Sequence, residues 1–523
     1  MSLDNKTAAI SLRHITKAFG TKVIANKDVS MDIERGEILA LLGENGSGKT
    51  TLMNMLSGIY HPDACHIYVD GQEVHITSPK DAYDLGIGMI HQHFKLVDVF
   101  TATENVALGM DKKKAKNNRE IAKAITEICD KYGFDVDPKK KVYNMTVSQK
   151  QTLEIVKTLY RGANILILDE PTAVLTPQET DKLFAVLRNM KKDGKSIIII
   201  THKLHEVLAI SDRVSILRKG EYIDTVQTSE ATVQSLTEMM VGQKVELDID
   251  RPEVEDKELR LKIDHLTCLD KYGVTALDDV SFEAYSGEIL GIAGISGSGQ
   301  KQLLEAIAGL QEAEAGSSIE YYDPNTGNTE QLIGKNVTQI KKMGVALSFV
   351  PEDRLGMGLV GTMGMTDNMM LRSYKNGNHI FADRKAPRDL ANRVKDELEV
   401  VTPSIQTPVR KLSGGNVQKV LVGREIASGP SVLMAAYAVR GLDINTSYTI
   451  YHLLNEQKMK GVAVIYVGED LDVLLALCDR IAVLCDGKLN GIVDGRTVTK
   501  EEVGEMMTNL KAKEDDADGS SDT

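Results

Sequence analysis

Short, wholly apolar runs alternate along this chain with longer stretches in which apolar residues recur every three or four positions. Ile38–Leu42, Ile165–Leu168 and Ile197–Thr201 are β-branched and almost uninterrupted, the pattern of strands buried on both faces of a parallel sheet. Val432–Val439 reads as a further buried strand. Leu52-Met53-Asn54-Met55-Leu56 has the look of a helix that follows the first of these strands. Ile121, Ile125, Ile128 and Tyr132 share one face at helical spacing, as do Leu390, Val394 and Leu398. Those two stripes predict core contacts of a helical subdomain rather than ligand sites. Strands alternating with helices predict an α/β class with parallel sheets.

The pattern occurs twice. Gly36-Glu37-Ile38-Leu39-Ala40 recurs as Gly287-Glu288-Ile289-Leu290-Gly291, a shift of 251 residues from Gly36 to Gly287. Later, Ser211-Asp212-Arg213-Val214-Ser215-Ile216-Leu217 is answered by Cys478-Asp479-Arg480-Ile481-Ala482-Val483-Leu484, a shift of 267 from Ser211 to Cys478. The second half therefore holds 16 extra residues in its middle, the difference of the two shifts. So long a period excludes a solenoid and points to two homologous domains, over residues 8–245 and 259–510. Residues 246–258 form a short acidic joint without helical or strand periodicity, with Asp248, Asp250, Glu253, Glu255 and Asp256. Residues 511–523 read as a disordered acidic tail.

Composition narrows the class. The 523 residues are 42% hydrophobic and 26% charged, enough apolar material for several cores. A formal net charge of −13 argues against a general nucleic-acid or anionic-membrane binder. No window approaches the roughly 20 apolar residues of a bilayer span, and Met1–Lys6 lacks the apolar core of a signal peptide. The five cysteines are scattered and form no CxxC, so disulfide frameworks and zinc sites fit poorly. A cytoplasmic, multi-domain chain is expected.

The chemistry begins directly after the first strand. Gly43-Glu44-Asn45-Gly46-Ser47-Gly48-Lys49-Thr50 satisfies every fixed position of a phosphate-binding P-loop, between a strand and a helix. Its glycines let backbone N–H groups converge on phosphates at the positive end of the helix dipole. Lys49 is expected to reach the β- and γ-phosphates, and the Thr50 hydroxyl to bind Mg²⁺. The run Ile165–Leu168 ends in Asp169-Glu170, where Asp169 can hold the metal through water and Glu170 can polarise the attacking water.

The order of P-loop, Gln92, a signature-like segment, Asp169-Glu170 and His202 resembles the ATP-binding cassette (ABC) family, over nearly all of residues 8–245 and again over 259–510. The resemblance implies two tandem P-loop ATPase domains, each with a RecA-like α/β core, an antiparallel β-subdomain and a helical signature subdomain. It implies ATP and Mg²⁺ as ligands, with Gly43, Asn45, Gly46, Ser47, Gly48, Lys49, Thr50 and Thr51 on the nucleotide. Gln92 joins Thr50 and Asp169 at the metal, Glu170, His202, Lys49 and Gln92 serve hydrolysis, and Phe19 stacks on adenine.

The second half keeps this outline without its chemistry. After Gly294-Ile295-Ser296-Gly297-Ser298-Gly299 come Gln300 for the lysine and Lys301 for the hydroxyl residue. Ala436, Tyr437 and Glu469 replace the metal Asp, the catalytic Glu and the His. Its signature, Leu412-Ser413-Gly414-Gly415-Asn416, is intact, whereas the first half has Met145-Thr146-Val147-Ser148-Gln149 with Ser148 at a glycine position. Head-to-tail pairing, the family's habit, then gives one competent site (first-half Walker residues with Ser413, Gly414 and Gly415) and one degenerate site. Thr176 stands where an Asp is usual and Asp443 is retained in the other half.

Tandem ABC chains without membrane spans include importer ATPases and ribosome-bound translation factors. The latter would show two largely intact sites and a long basic arm, against the short acidic joint and one altered site here. The importer reading implies two transmembrane permease subunits, an extracytoplasmic substrate-binding protein, no nucleic acid, and a peripheral position on the cytoplasmic face of the membrane. Finer resemblance, in Ala173-Val174-Leu175-Thr176-Pro177, Pro351-Glu352-Asp353-Arg354 and Gln300, is to the simple-sugar and nucleoside importers. His91-Gln92-His93-Phe94-Lys95-Leu96-Val97 is most like the nucleoside branch, with a ribose- or galactose-type sugar the alternative.

Overall fold

The computed structural model describes residues 8–20, 23–91, 94–109, 117–173, 175–244, 248–270, 272–295, 297–343, 345, 347–373, 383–468 and 470–508. The chain divides into two units, Met1–Glu246 and Leu247–Thr523. Gln92, Ser296, Glu469 and the acidic tail, all singled out above, lie outside the described residues.

In the first unit the apolar runs become the middle of a six-stranded sheet. Its order is Glu221–Gln227, Arg213–Arg218, Ile38–Leu42, Ser196–Thr201, Ile165–Asp169, Ile87–Ile90. The first pair is antiparallel and the rest are parallel. Successive strand residues point to opposite faces, and both faces are covered. Leu39, Leu41, Ile167, Ile198 and Ile200 pack under a four-stranded antiparallel sheet through Ile10, Leu12, Val29 and Ile33. Ile38, Leu166, Leu168, Ile197 and Ile199 meet Leu183, Phe184 and Leu187 of helix Pro177–Lys192. That double burial is why these strands carry no polar alternation.

The second unit repeats the order with Lys488–Asp494, Arg480–Cys485, Ile289–Ala293, Ala463–Val467, Val432–Ala436 and Leu347–Val350, again beside a four-stranded antiparallel sheet. The two sequence motifs that reveal the duplication meet within each unit. Asp212 Oδ2 accepts the Ile38 N–H at 2.8 Å, and Asp479 Oδ2 accepts the Ile289 N–H at 2.8 Å. Each aspartate satisfies the first N–H of the strand that leads into the P-loop, tying the distant motifs together. Part of the extra length lies in a hairpin. Ala64–Val69 turns to Gln72–Val74 through residues 70–71, whereas Ser318–Tyr322 reaches Thr329–Gln331 through 323–328.

Three expectations need correction. The strand from Val432 ends at Ala436, and Tyr437 begins a turn. Helix Asn118–Tyr132 buries Ile121, Ile125, Cys129 and Tyr132, leaving Ile128 only partly covered between two clusters. The helical period by itself places Ile128 nearer the centre of that face than Cys129, so it is the packing of the neighbouring elements that buries Cys129. Helix Lys385–Glu397 buries Pro387, Ala391 and Val394, with Leu390 and the C-capping Leu398 on the flank. The acidic joint does lack helix and strand over 248–258, yet it is strapped to the second unit. Arg251 Nη1 donates to the carbonyls of Leu475 and Cys478 at 2.9 and 2.7 Å, and Arg496 Nη2 donates to Arg251 O at 3.0 Å.

Candidate functional site

Strand Ile38–Leu42 runs into the loop at Gly43, and helix Lys49–Leu56 begins at Gly48 without a side-chain cap. Its first N–H groups are thus left for an anion. Gly48 has φ 96°, and a Cβ there would lie 2.2 Å from the Ala25 carbonyl oxygen, so only glycine closes this turn. Lys49 is buried; its Nζ donates to the carbonyls of Gly43 and Glu44 at 2.6 and 3.0 Å. Burial holds its ammonium below the ordinary lysine range, against the pull of Glu170 and Asp169. The Ser47 hydroxyl is buried without a hydrogen-bond partner.

Sheet order brings the carboxylates here. Strand Ile165–Asp169 ends next to Ser196–Thr201, which neighbours the P-loop strand. Thr50 Oγ1 lies 3.5 Å from Asp169 Oδ1. Burial, and then the Glu170 charge, push the Asp169 carboxyl up to about 6. Glu170 takes a left-handed φ of 47° and donates its N–H to Ile200 O at 2.8 Å. Such backbone strain is held only where surroundings impose it. Glu170 Oε1 is 2.9 Å from His202 Nδ1. That hydrogen bond keeps the Glu170 carboxyl below its usual range, so it is ionised at neutral pH.

The donor set suits Mg²⁺. This ion takes one or two carboxylates and keeps several waters. Asp169 is a buried carboxylate disfavoured as an anion, with a hydroxyl beside it and a second carboxylate next in sequence. A divalent charge there would offset both the burial of Asp169 and its repulsion by Glu170. Phe19, 41% exposed at the end of strand Ala8–Phe19, sits edge-on to Tyr60 at 5.4 Å, with Lys17 Nζ 5.6 Å from its ring centroid.

The second unit preserves the backbone of this site more closely than its side chains. Gly297 and Gly299 have φ of 96° and 98°, and Gln300 Nε2 donates to Ile295 O at 3.1 Å, the position of Glu44 in the first loop. Tyr437 keeps Glu170's conformation, with φ 49° and its N–H on Val467 O at 2.8 Å. The strained turn that carries a carboxylate in the first unit is thus retained around a phenol.

Both signature segments cap helices. Ser413 Oγ accepts Asn416 Nδ2 at 2.8 Å at the start of helix Gly414–Ile426. A Cβ on Gly415 would come 3.0 Å from Thr446 Oγ1. Thr146 makes a capping box with Gln149 on helix Val147–Tyr160, where Val147, in the first glycine's place, is 42% exposed. Thr176 and Asp443 each cap the helix after their loop, so the local role survives while the charge does not.

Sequence reasoning missed several neighbours. Tyr60 and the buried Asn26, whose Nδ2 donates to Gly48 O at 3.2 Å, have no motif of their own. Glu154 and Lys157 grip the backbone of Lys95; a charged pair inside an otherwise buried helix face was the available signal. Arg354, named above only within a resembling segment, has its Nη1 3.4 Å from where a Cβ on Gly414 would be.

Among the described residues no helix is long and apolar enough to cross a membrane. The ABC transporter family model matches residues 26–173 and 277–435. The nucleoside import ATP-binding protein NupA of Lactococcus lactis is 40% identical over 509 residues, covering 95% of this chain and 97% of that protein. The guanosine import ATP-binding protein NupO of Bacillus subtilis is 39% identical, covering 97% and 98%. The glucose import ATP-binding protein TsgD13 of Haloferax volcanii is 38% identical, covering 95% of each. With its P-loop, paired carboxylates and two matched cassettes, this chain belongs to the ABC transporter family, as a tandem ATP-binding protein whose ATPase activity is coupled to transport.

Proposed function

We propose that this chain powers the import of nucleosides, from the cytoplasmic face of the membrane, together with two permease subunits and an extracytoplasmic substrate-binding protein. What carries the cargo is the full-length similarity to a nucleoside and a guanosine import protein at 40% and 39% identity. The 38% match to a glucose import protein keeps a simple sugar as the second reading.

In this reading residues 8–245 and 259–510 are the two cassettes. The Gly43–Thr51 loop binds the ATP phosphates, Lys49 leaves its loop carbonyls for the β- and γ-phosphates, and Phe19 stacks on adenine. Thr50, Asp169 and Gln92 would hold Mg²⁺, which neutralises charge on the phosphate oxygens. Glu170, ionised and oriented by His202, accepts the proton of the attacking water. The distribution of intact and altered motifs supports pairing the first P-loop with the second signature, so that Ser413 and the Gly414 and Gly415 amides complete one competent site.

Permease contact is assigned to residues 94–100 and 352–359, where Val99, Leu355 and Met357 are 64%, 41% and 47% exposed. The test is uptake of labelled guanosine and ribose by a strain lacking this chain, with and without its return. ATP-dependent guanosine uptake restored by the chain supports the proposal. Restoration of ribose alone moves the cargo to sugars, and nucleotide-dependent cosedimentation with ribosomes rejects import.

A further inference from the structure

The second unit's nucleotide cavity differs from the first in one respect that sequence decay does not explain. Its phosphate loop is built: the glycine conformations are kept, helix Gln300–Ile307 starts uncapped at Gly299, and the 2%-exposed Ser298 hydroxyl has no hydrogen-bond partner. Gln300 closes the loop on Ile295 O as an uncharged amide. At the metal position, however, a lysine replaces the hydroxyl and the adjacent carboxylate pair is lost. Thr50, Asp169 and Glu170 correspond to Lys301, Ala436 and Tyr437, and Glu352 stands two residues past its strand's end, as Gln92 does. All four line a single cavity of about 210 Å³, together with Glu305, Asp353 and Phe349.

Residues of this kind do not fit a divalent cation. Ala436 and Tyr437 supply no carboxylate; of the carboxylates that line the cavity, Glu352 is engaged by Arg440 Nη1, Asp353 Oδ1 accepts the Gly356 N–H at 2.7 Å, and Glu305 faces Lys301. Lys301 puts an ammonium where the metal hydroxyl stood; it is 61% exposed and only loosely paired, 3.8 Å from Glu305. An ammonium repels Mg²⁺ and attracts phosphate, so it can serve both ends of one role.

We propose that the second unit binds a nucleoside triphosphate without a divalent cation, the Lys301 ammonium meeting the terminal phosphates in the metal's place. The proposal rests on the reading of the first unit as the Mg²⁺-dependent site. It accounts for the direction of change at this position. A neutral residue would simply have lost the metal, whereas a lysine replaces its charge. It also makes the bound nucleotide inert, because no metal-held water is there and Tyr437 stands in place of the Glu170 carboxylate.

The test uses the purified full-length chain, ATP in equilibrium dialysis, and Mn²⁺ counted by electron paramagnetic resonance. Two nucleotides and one Mn²⁺ are expected per chain, and one nucleotide is expected to remain in EDTA. Lys49→Ala leaves that EDTA-resistant binding in place, while Lys301→Ala weakens it by about tenfold or more, the loss of a charge-assisted phosphate contact. Lys301→Thr combined with Ala436→Asp restores a hydroxyl and a carboxylate; binding there should then need metal and the Mn²⁺ count should rise to two. Two Mn²⁺ on the unaltered chain, no nucleotide retained in EDTA, or unweakened binding by Lys301→Ala overturns the proposal. Mg²⁺-dependent hydrolysis by the unaltered chain with its permeases reads the first unit separately. Its absence overturns the proposed function, and its presence alongside those failures overturns only the metal-free site.

Discussion

Removing Glu154 should damage the first unit out of proportion to one side chain. On helix Val147–Tyr160, Glu154 Oε1 accepts the Lys95 N–H at 2.7 Å while Oε2 lies 2.9 Å from Lys157 Nζ. Lys157 Nζ donates in turn to Lys95 O at 3.1 Å. The two side chains are 5% and 10% exposed. Glu154→Ala therefore strands a buried ammonium and a backbone N–H together. Breaking such a pair costs about 3–5 kcal/mol, which for a domain of this size lowers its melting temperature by roughly 2–4 °C per kcal/mol. Glu154→Leu with Lys157→Met removes both charges and should cost only about 1–2 kcal/mol, the lost bonds to Lys95. Calorimetry of the full chain reads the cost, and hydrogen exchange at the Lys95 amide reads the release of the loop. Because Lys95 lies three residues after Gln92, Glu154→Ala should also blunt the stimulation of ATPase activity by the permeases. A Glu154→Ala cost within about 0.5 kcal/mol of the parent, or a double variant as unstable as the single, refutes the reasoning.

Glu170→Gln should lower ATP hydrolysis by about 10²–10⁴-fold, the range of a lost general base, while Tyr437→Phe changes it little; steady-state turnover of the transport complex decides. Ser413→Arg should abolish hydrolysis and leave ATP binding to the first P-loop, whereas Thr146→Arg costs much less, read by the same assay beside nucleotide dialysis. The Asp169 carboxyl, raised from 3.8 to about 6, penalises the metal-free folded state by about 3 kcal/mol at neutral pH. A raised acid binds more protons folded than unfolded, so this penalty is full above pH 6 and fades as pH falls toward 3.8. Asp169→Asn should therefore melt higher than the parent in EDTA at neutral pH, with the gap closing in acid, and should not hydrolyse ATP. Equal melting at neutral pH contradicts the assignment.

Much of this was legible before any coordinates. A P-loop is a local object: glycine conformations, an apolar strand before it and a helix after it are all set by neighbours in sequence, so Gly43–Thr50 could be read directly. Doubly buried strands announce themselves because both faces need apolar side chains, as at Ile38–Leu42 and Ile197–Thr201. The duplication, too, is plain in repeated words. Spacing alone misjudged which residue completes a helix face at Ile128 and Cys129, since adjacent positions differ by packing rather than by period.

Contacts across the chain were decided by the tertiary structure. Thr50 and Asp169 meet because the strand between theirs in the sheet, Ser196–Thr201, comes from later in the chain. The same order sets His202 against Glu170. Strand order depends on how helices cover both faces, which no local pattern encodes. The grip of Glu154 and Lys157 on Lys95, Tyr60 beside Phe19, and the strapping of Arg251 to Leu475 and Cys478 have the same origin. Side chains distant in sequence find each other only after the sheets have chosen their neighbours, and that choice is made by the burial of whole faces rather than by any residue in them.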